Sequence, residues 1–397
     1  MTALLILIIY ALLVRKQPLL ESYAKIFAVE WIFLLSIYLM YQKEFVPLSN
    51  HFSFVFLMFF VPFVLADYYW SKTIHYIPEI RFPAVISANL FFMLACAAAV
   101  LSVGLAVHAV RSIGVASFAG FRELFVGSDE IGPVSIGTGV SFPLVCGAWY
   151  LSRVMEKRYV SLLFGFLAII LAILTTSKVF LFIALIYAVP LASNGKPTMT
   201  AKTFINIAVA ALVTFALLHL FLGKIAGIPG QQGILEGLMV TLRVYLLGAI
   251  AGLQHVLDGT FIYPHNQMWI FVANLFPDFV EAPKTIILPW SSIGIWETNV
   301  YSAFASWYEA VGVLGLAVIG FLLGSFYAWL FRSCSTLLFL RIFSLFPLLF
   351  MFHQDFFFES VRIWIGFSFV AVLIDMTYTY PSSSMEVIRT PGNSGAV

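Results

Sequence analysis

Residues 84–110 read AVISANLFFMLACAAAVLSVGLAVHAV, 27 consecutive positions without an Asp, Glu, Lys or Arg. At about 1.5 Å of rise per residue, a helix needs roughly 20 apolar residues to cross a hydrocarbon core of about 30 Å. The run is too long and too unalternating for a barrel strand. Lipid tolerates only helices and closed barrels, because nothing else satisfies every backbone group internally. This stretch is therefore a membrane-spanning helix.

Working outward, runs of the same kind recur near 1–14, 24–41, 52–69, 134–151, 159–176, 179–192, 203–222, 306–331, 336–352 and 361–377. The expected fold is an all-α polytopic integral membrane protein with eleven transmembrane helices. Composition agrees: 62% of residues are hydrophobic, 17% aromatic and 10% charged, with a mean hydropathy of +1.00. Soluble domains carry about 25% charged residues, so this chain lacks the charge to clothe a surface in water.

The formal charge of +2 and the absence of a basic run argue against a nucleic-acid partner. Cys96, Cys146 and Cys334 all lie in apolar runs, which argues against a disulfide framework or a thiolate metal site. Arg15 and Lys16 follow the first apolar run, whereas a cleavable signal peptide places its positive charges before one. The first span is expected to stay in place and to enter from outside. With that orientation, 13 of the 21 Lys and Arg residues fall in the inner connections and tail, as the excess of cytoplasmic positive charge requires.

Residues 1–380 then form one transmembrane domain with outer loops at 111–133 and 223–298, and the Ser/Gly/Pro-rich tail 381–397 reads as disordered. The second loop is the unusual part, since loops held on a rigid scaffold are where chemistry concentrates. It carries Arg243, His255, Asp258, His265, Asp278, Glu281 and Glu297, broken by five prolines. Within it, Leu238–Leu257 is apolar enough to cross. An embedded or interfacial helix on the outer face is the preferred reading, because it keeps Arg243 from the bilayer centre and leaves Arg332 and Arg341 on the inner side. The short inner connections leave no room for a cytoplasmic catalytic domain. No Gly-rich phosphate loop with a Lys appears, so any chemistry faces outward.

The candidate residues fall into three groups. Arg111 and Arg122 in the first outer loop, Arg243 in the second, and Arg362 at the start of the last span are candidate diphosphate ligands. A guanidinium offers a fixed fork of donors and keeps its charge in a poor dielectric; the same residues could instead snorkel to headgroups or form salt bridges. Arg243 stands out, because an arginine in an apolar helix is costly without a partner, and Gln254 returns to nearly its face eleven residues on.

Glu297, Tyr301 and Tyr308 would share a face if a helix opened at Thr298 or Asn299. Asn299, Tyr301 and Tyr308, with His265, are the candidate sugar contacts, against the alternative of an aromatic belt at the membrane surface. Glu297, Glu309, His353 and Asp355 are candidate catalytic groups for taking a proton from a hydroxyl. No Asp-x-Asp, His-x-x-x-His, Cys-x-x-Cys or Gly-x-Ser-x-Gly occurs, so the sequence supports no metal site, no cofactor and no serine-hydrolase elbow. Gly248-x-x-x-Gly252 and Gly320-x-x-x-Gly324 read as close-packing sites between helices.

The run Thr298-Asn299-Val300-Tyr301, followed by Tyr308-Glu309-Ala310-Val311-Gly312-Val313-Leu314-Gly315, resembles the Wzy-type O-antigen polymerases of bacterial surface polysaccharide. A weaker echo is Tyr245-Leu246-Leu247-Gly248-Ala249-Ile250-Ala251. Thr175-Thr176-Ser177-Lys178 stands where that family often ends a turn in Arg. The resemblance implies an inner-membrane enzyme with its active site facing the periplasm. It would transfer a growing glycan on undecaprenyl diphosphate to an incoming lipid-linked repeat unit and would work with a separate chain-length regulator. By the same resemblance the diphosphate-binding role passes to Arg122 and Arg243. A flippase for lipid-linked sugars and a ligase that moves finished polysaccharide onto lipid A core are the competing readings. The uncharged middle of the spans disfavours the first, and the Thr298–Tyr301 run disfavours the second.

Overall fold

The computed structural model describes residues 1–15, 22–73, 82–113, 132–174, 178–189, 206, 209–210, 212–217, 233–261, 290–332, 338–358 and 361–379. The helices are α1 (Thr2–Leu13), α2 (Tyr23–Met40), α3 (Asn50–Thr73), α4 (Val85–Ile113), α5 (Gly132–Val154), α6 (Arg158–Leu174), α7 (Lys178–Tyr187), α8 (Ile234–Leu257), α9 (Ala303–Arg332), α10 (Leu338–Leu349) and α11 (Val361–Thr377). Tyr23–Met40, Asn50–Trp70, Val85–His108, Leu235–Leu257 and Ala303–Leu330 are long and apolar enough to cross a membrane. The chain is thus an all-helical, multi-pass membrane protein. The helices follow the expected spans within a few residues. The span at 203–222 lies largely outside the described residues, of which 209–210 and 212–217 are helical. So does most of both outer loops, with His265 and Arg122, and the tail 381–397.

The bundle has two recognisable ends. At one, β1 (Phe82–Pro83) pairs antiparallel with β4 (Tyr378–Thr379), joining the start of α4 to the end of α11. At the other, here called the mouth, the α2–α3 connection meets a hairpin of β2 (Ser291–Ser292) and β3 (Glu297–Thr298). The hairpin turns at Gly294, whose φ of 103° suits glycine and whose missing side chain leaves room for the Glu44 carbonyl. The Ile295 amide donates to that carbonyl at 3.1 Å.

The expected helix start at Thr298 or Asn299 is corrected to Ala303. The Thr298 hydroxyl accepts from the Val300 amide at 3.1 Å, the local turn by which Thr competes with helix formation. The Ser302 amide donates to Ala249 O and the Ala303 amide to Met351 O, so these donors are satisfied by other segments. Glu297, Tyr301 and Tyr308 therefore do not share one helical face.

The helix that follows is broken. Gly312 has φ 66° and ψ −173°, a conformation open to glycine alone. Phe304 packs edge-on against Phe59 at 5.0 Å, and Gly320, sixteen positions later, meets the backbone of the same Phe59. A straight helix would separate those two residues by about 24 Å. The first half of α9 therefore climbs beside α3 and turns at Gly312, and the second half descends along it. Gly320 and Gly324 lie against the backbone of Phe59 and Phe63, which makes that pair a packing site as expected.

The start of α9 is consequently deep. Phe304 also lies 5.4 Å from Trp31, nine residues or about 13 Å below the end of α2. The α10–α11 connection dips as well. α10 has 12 residues and α11 has 17, each too short for a full crossing. Phe357 in that connection reaches Tyr327 at 6.1 Å, and Tyr327 in turn touches Tyr23 at the far end of α2.

Candidate functional site

Two re-entrant segments, the climbing half of α9 and the 350–358 connection, meet beneath the mouth, and α8 lies over them. α8 is long enough to be a span, but its contacts run along the mouth. Arg243 reaches Glu44 and Gln254 reaches Ser49, two residues of one short connection. The eleven positions between them measure about 16 Å along the helix. The carbonyl of Ala249, Gly248 and Gly252 meet Ser302, Thr298 and Tyr301 respectively, and Tyr245 stacks on His353 at 5.7 Å. α8 thus lies as a lid across this end. Its glycines permit the approach: a Cβ on Gly252 would stand 2.8 Å from the Tyr301 ring.

Arg243 has its partner. Its Nη1 donates to both oxygens of Glu44 at 2.6 Å, and its guanidinium carbon lies 4.0 Å from the Tyr41 ring centroid. Trp296 Nε1 donates to Glu44 Oε2 at 3.1 Å, tying the hairpin to the same carboxylate. Nε and Nη2 of Arg243 have no partner among the described residues. The pair is only partly covered, with side chains 21% and 26% exposed, so it stands at the edge of the mouth.

Of the other arginines, Arg111 ends α4 and is exposed. α4 packs on α5, α6 and α11, whereas α8 packs on α2, α3 and α9. The side chains of Arg122 and Arg362 lie outside the described residues.

Asp355 lies at the bottom, 1% exposed. Its Oδ2 accepts from Trp307 Nε1 at 2.7 Å, and its Oδ1 accepts from the Phe357 and Phe358 amides at 2.9 and 3.0 Å. Burial pushes its carboxyl up to about 6, against the pull of those three donors, which favour the ionised form. It clamps the two re-entrant segments together, which is a positioning task.

Glu297 is exposed on β3, Asn299 is half-buried, and Tyr308 is half-buried with its ring 6.0 Å from His51. Tyr301 is 1% exposed, stacked on Phe261 at 4.8 Å. Burial raises its phenol above the usual range, so it stays protonated. Glu309 is half-buried, three residues before the break.

The structure adds residues that sequence reasoning passed over. Glu44 is one; the cost of Arg243 in an apolar helix was a signal that some acid must lie opposite. Ser302 and Ser306 are others, 1% and 2% exposed, their hydroxyls without a partner among the described residues. With Glu309 they stand at i, i+4 and i+7, a stripe that begins at Ser302 just before α9 and continues on its climbing half. A buried hydroxyl left unpaired costs about 1–3 kcal/mol, so the stripe is a ready donor–acceptor surface for a hydroxylated ligand.

Among curated proteins, an O-antigen polymerase of Shigella dysenteriae is 34% identical over 242 residues, which is 60% of this chain. The match spans 62% of that protein's length. No family model matches the chain, and no solved structure matches it. The relative's name agrees with the family that the sequence resembles.

Proposed function

We propose that this protein polymerises a bacterial surface polysaccharide. In this reading it lies in the inner membrane with the mouth towards the periplasm. A growing glycan on undecaprenyl diphosphate is the donor and an incoming lipid-linked repeat unit is the acceptor. The acceptor's terminal hydroxyl attacks the anomeric carbon of the donor, a new glycosidic bond forms, and the bond to the diphosphate breaks. The hydroxyl proton passes to a base on the protein, and undecaprenyl diphosphate leaves. The observation that carries the proposal is the 34% identity to an O-antigen polymerase.

The geometry suits this chemistry. Arg243 stands at the edge of the mouth, where a diphosphate still embedded by its lipid tail would arrive, with Nε and Nη2 available for a second acceptor. Charge developing on the leaving group is stabilised best by donors already fixed in place, and Glu44 and Tyr41 fix this guanidinium. The stripe of Ser302, Ser306 and Glu309 is assigned to the acceptor sugar, with the two hydroxyls as binding groups and Glu309 as general base. Asp355 holds that stripe through Trp307.

The test is the surface polysaccharide of a deletion strain, resolved by gel. A polymerase defect leaves core bearing a single repeat unit. Complete loss of surface repeats would instead identify a flippase or a ligase. In complemented strains, Glu309→Gln should leave the single-unit product with the protein still in the membrane, and full-length chains in that variant would remove Glu309 from the mechanism.

A further inference from the structure

Far from the mouth, the α5–α6 turn borders an open cavity of about 220 Å³ lined by Ser152, Arg153, Glu156, Lys157, Arg158 and Ser161. It belongs to the opposite end of the bundle, because Lys157 Nζ donates to Asn89 Oδ1 at 3.0 Å in the first turns of α4, beside the β1–β4 pair.

Three cations meet here beside a single carboxylate, with no ion pair between them among the described residues. Arg153 donates to the carbonyls of Tyr187 and Val189, both at 2.6 Å. These are neutral acceptors at the end of α7; they fix the guanidinium and leave its charge. Lys157 has the Asn89 amide and, at 5.3 Å, the Phe92 ring. Arg158 has no partner among the described residues. The single carboxylate, Glu156, is exposed and joins no ion pair among them. α6 begins at Arg158, so its first-turn amides and the positive end of its dipole add to the same field.

The neighbouring surface identifies the ligand. Tyr159 is 86% exposed, and Leu162, Leu163 and Phe166 are 64%, 48% and 62% exposed. These positions line one side of α6 directly beyond the turn. An exposed Tyr above an apolar strip marks headgroup level, and a strip facing lipid has room for acyl chains. We propose that this cavity is a binding site for an anionic phospholipid, its phosphate among Arg153, Lys157 and Arg158 and its acyl chains along Leu162 and Phe166. The other sources of the same anion chemistry, free phosphate or a soluble phosphate ester, would not need the strip.

Native mass spectrometry of the full-length protein in detergent tests this, with phosphatidylglycerol, phosphatidylcholine or inorganic phosphate added. Phosphatidylglycerol should stay bound where phosphatidylcholine is lost. Lys157→Gln and Arg158→Gln should each lower its retention about fivefold, the effect expected of one basic residue at a charged lipid surface. Leu162→Gln/Phe166→Gln should lower lipid retention with the cations intact. Equal retention of the two lipids by the wild type would overturn the proposal without any variant. So would a site that inorganic phosphate fills in place of lipid.

Discussion

Replacing Gly312 with Ala tests the folded-back helix directly. At φ 66° and ψ −173° an L-residue is strained, at a cost of about 1–3 kcal/mol. Beyond the adjoining backbone, nothing lies within 4 Å of the position a Cβ would take, so the substitution meets no other part of the structure. Its whole effect is on backbone conformation. Gly104, in the middle of α4, supplies the control: its added Cβ also meets nothing, but its backbone is an ordinary helix. There Ala should stabilise by up to about 1 kcal/mol, because glycine is the poorer helix former. Identical chemical changes are thus expected to act with opposite signs, separated by roughly 1–4 kcal/mol when the two ranges are combined.

Fluorescence-detected size-exclusion after heating, in one detergent, gives the order of melting midpoints. Gly104→Ala should melt at or above wild type and Gly312→Ala below it. The polysaccharide of a Gly312→Ala strain should also shorten, since a straightened α9 would pull Phe304 away from Phe59 and the Ser302–Ser306 stripe from beneath α8. If Gly312→Ala melts with the wild type and builds chains of normal length, the break is not a feature of the working protein, and the buried start of α9 falls with it.

Arg243→Lys should abolish long chains, because a single ammonium cannot grip Glu44 and a phosphate together; the pair is partly exposed and worth at most about 1 kcal/mol of stability, so melting should barely move. Unchanged chain lengths in that variant would dismiss Arg243 as a ligand. Glu44→Gln should keep the fold by the same reasoning yet loosen the guanidinium, lowering polymer yield by less than Arg243→Ala does in the same gel assay. Gly252→Leu should fail both to polymerise and to melt normally, because even a Cβ there stands 2.8 Å from the Tyr301 ring, and α8 must lift off the mouth; a normal melting curve would show that the lid is not seated. The Asp355 carboxyl, at about 6 when folded against an ordinary 3.8, binds more protons in the native state. Its contribution is therefore full at low pH and is lost as pH rises from about 4 to 6. Asp355→Asn should remove that slope from the melting temperature, and a slope that persists unchanged would assign it to other groups.

The spans were legible because lipid imposes a length and a polarity that a single sequence displays. The run at 84–110 becomes Val85–Ile113 for that reason alone. The segment 297–312 was misread because its local signals genuinely conflict. Glu297, Tyr301 and Tyr308 have helical spacing, and only two local features oppose a helix: a threonine that captures a nearby amide and a glycine at 312 whose positive φ no residue pattern announces. What decides between them is distant, since the Ser302 and Ala303 amides find their acceptors on Ala249 and Met351. The Arg243–Glu44 pair lies further still beyond reading, its members 199 positions apart. Energetics nonetheless constrained it: an arginine inside an apolar helix predicts an unseen carboxylate or an anionic ligand, and here Nη1 takes a carboxylate. The same reasoning runs in reverse at the α5–α6 turn, where charges that count towards topology in the sequence prove, in three dimensions, to line one cavity and to join no ion pair among the described residues. A cation that sequence explains by orientation alone can therefore still carry a ligand, and only its partners in space distinguish the two.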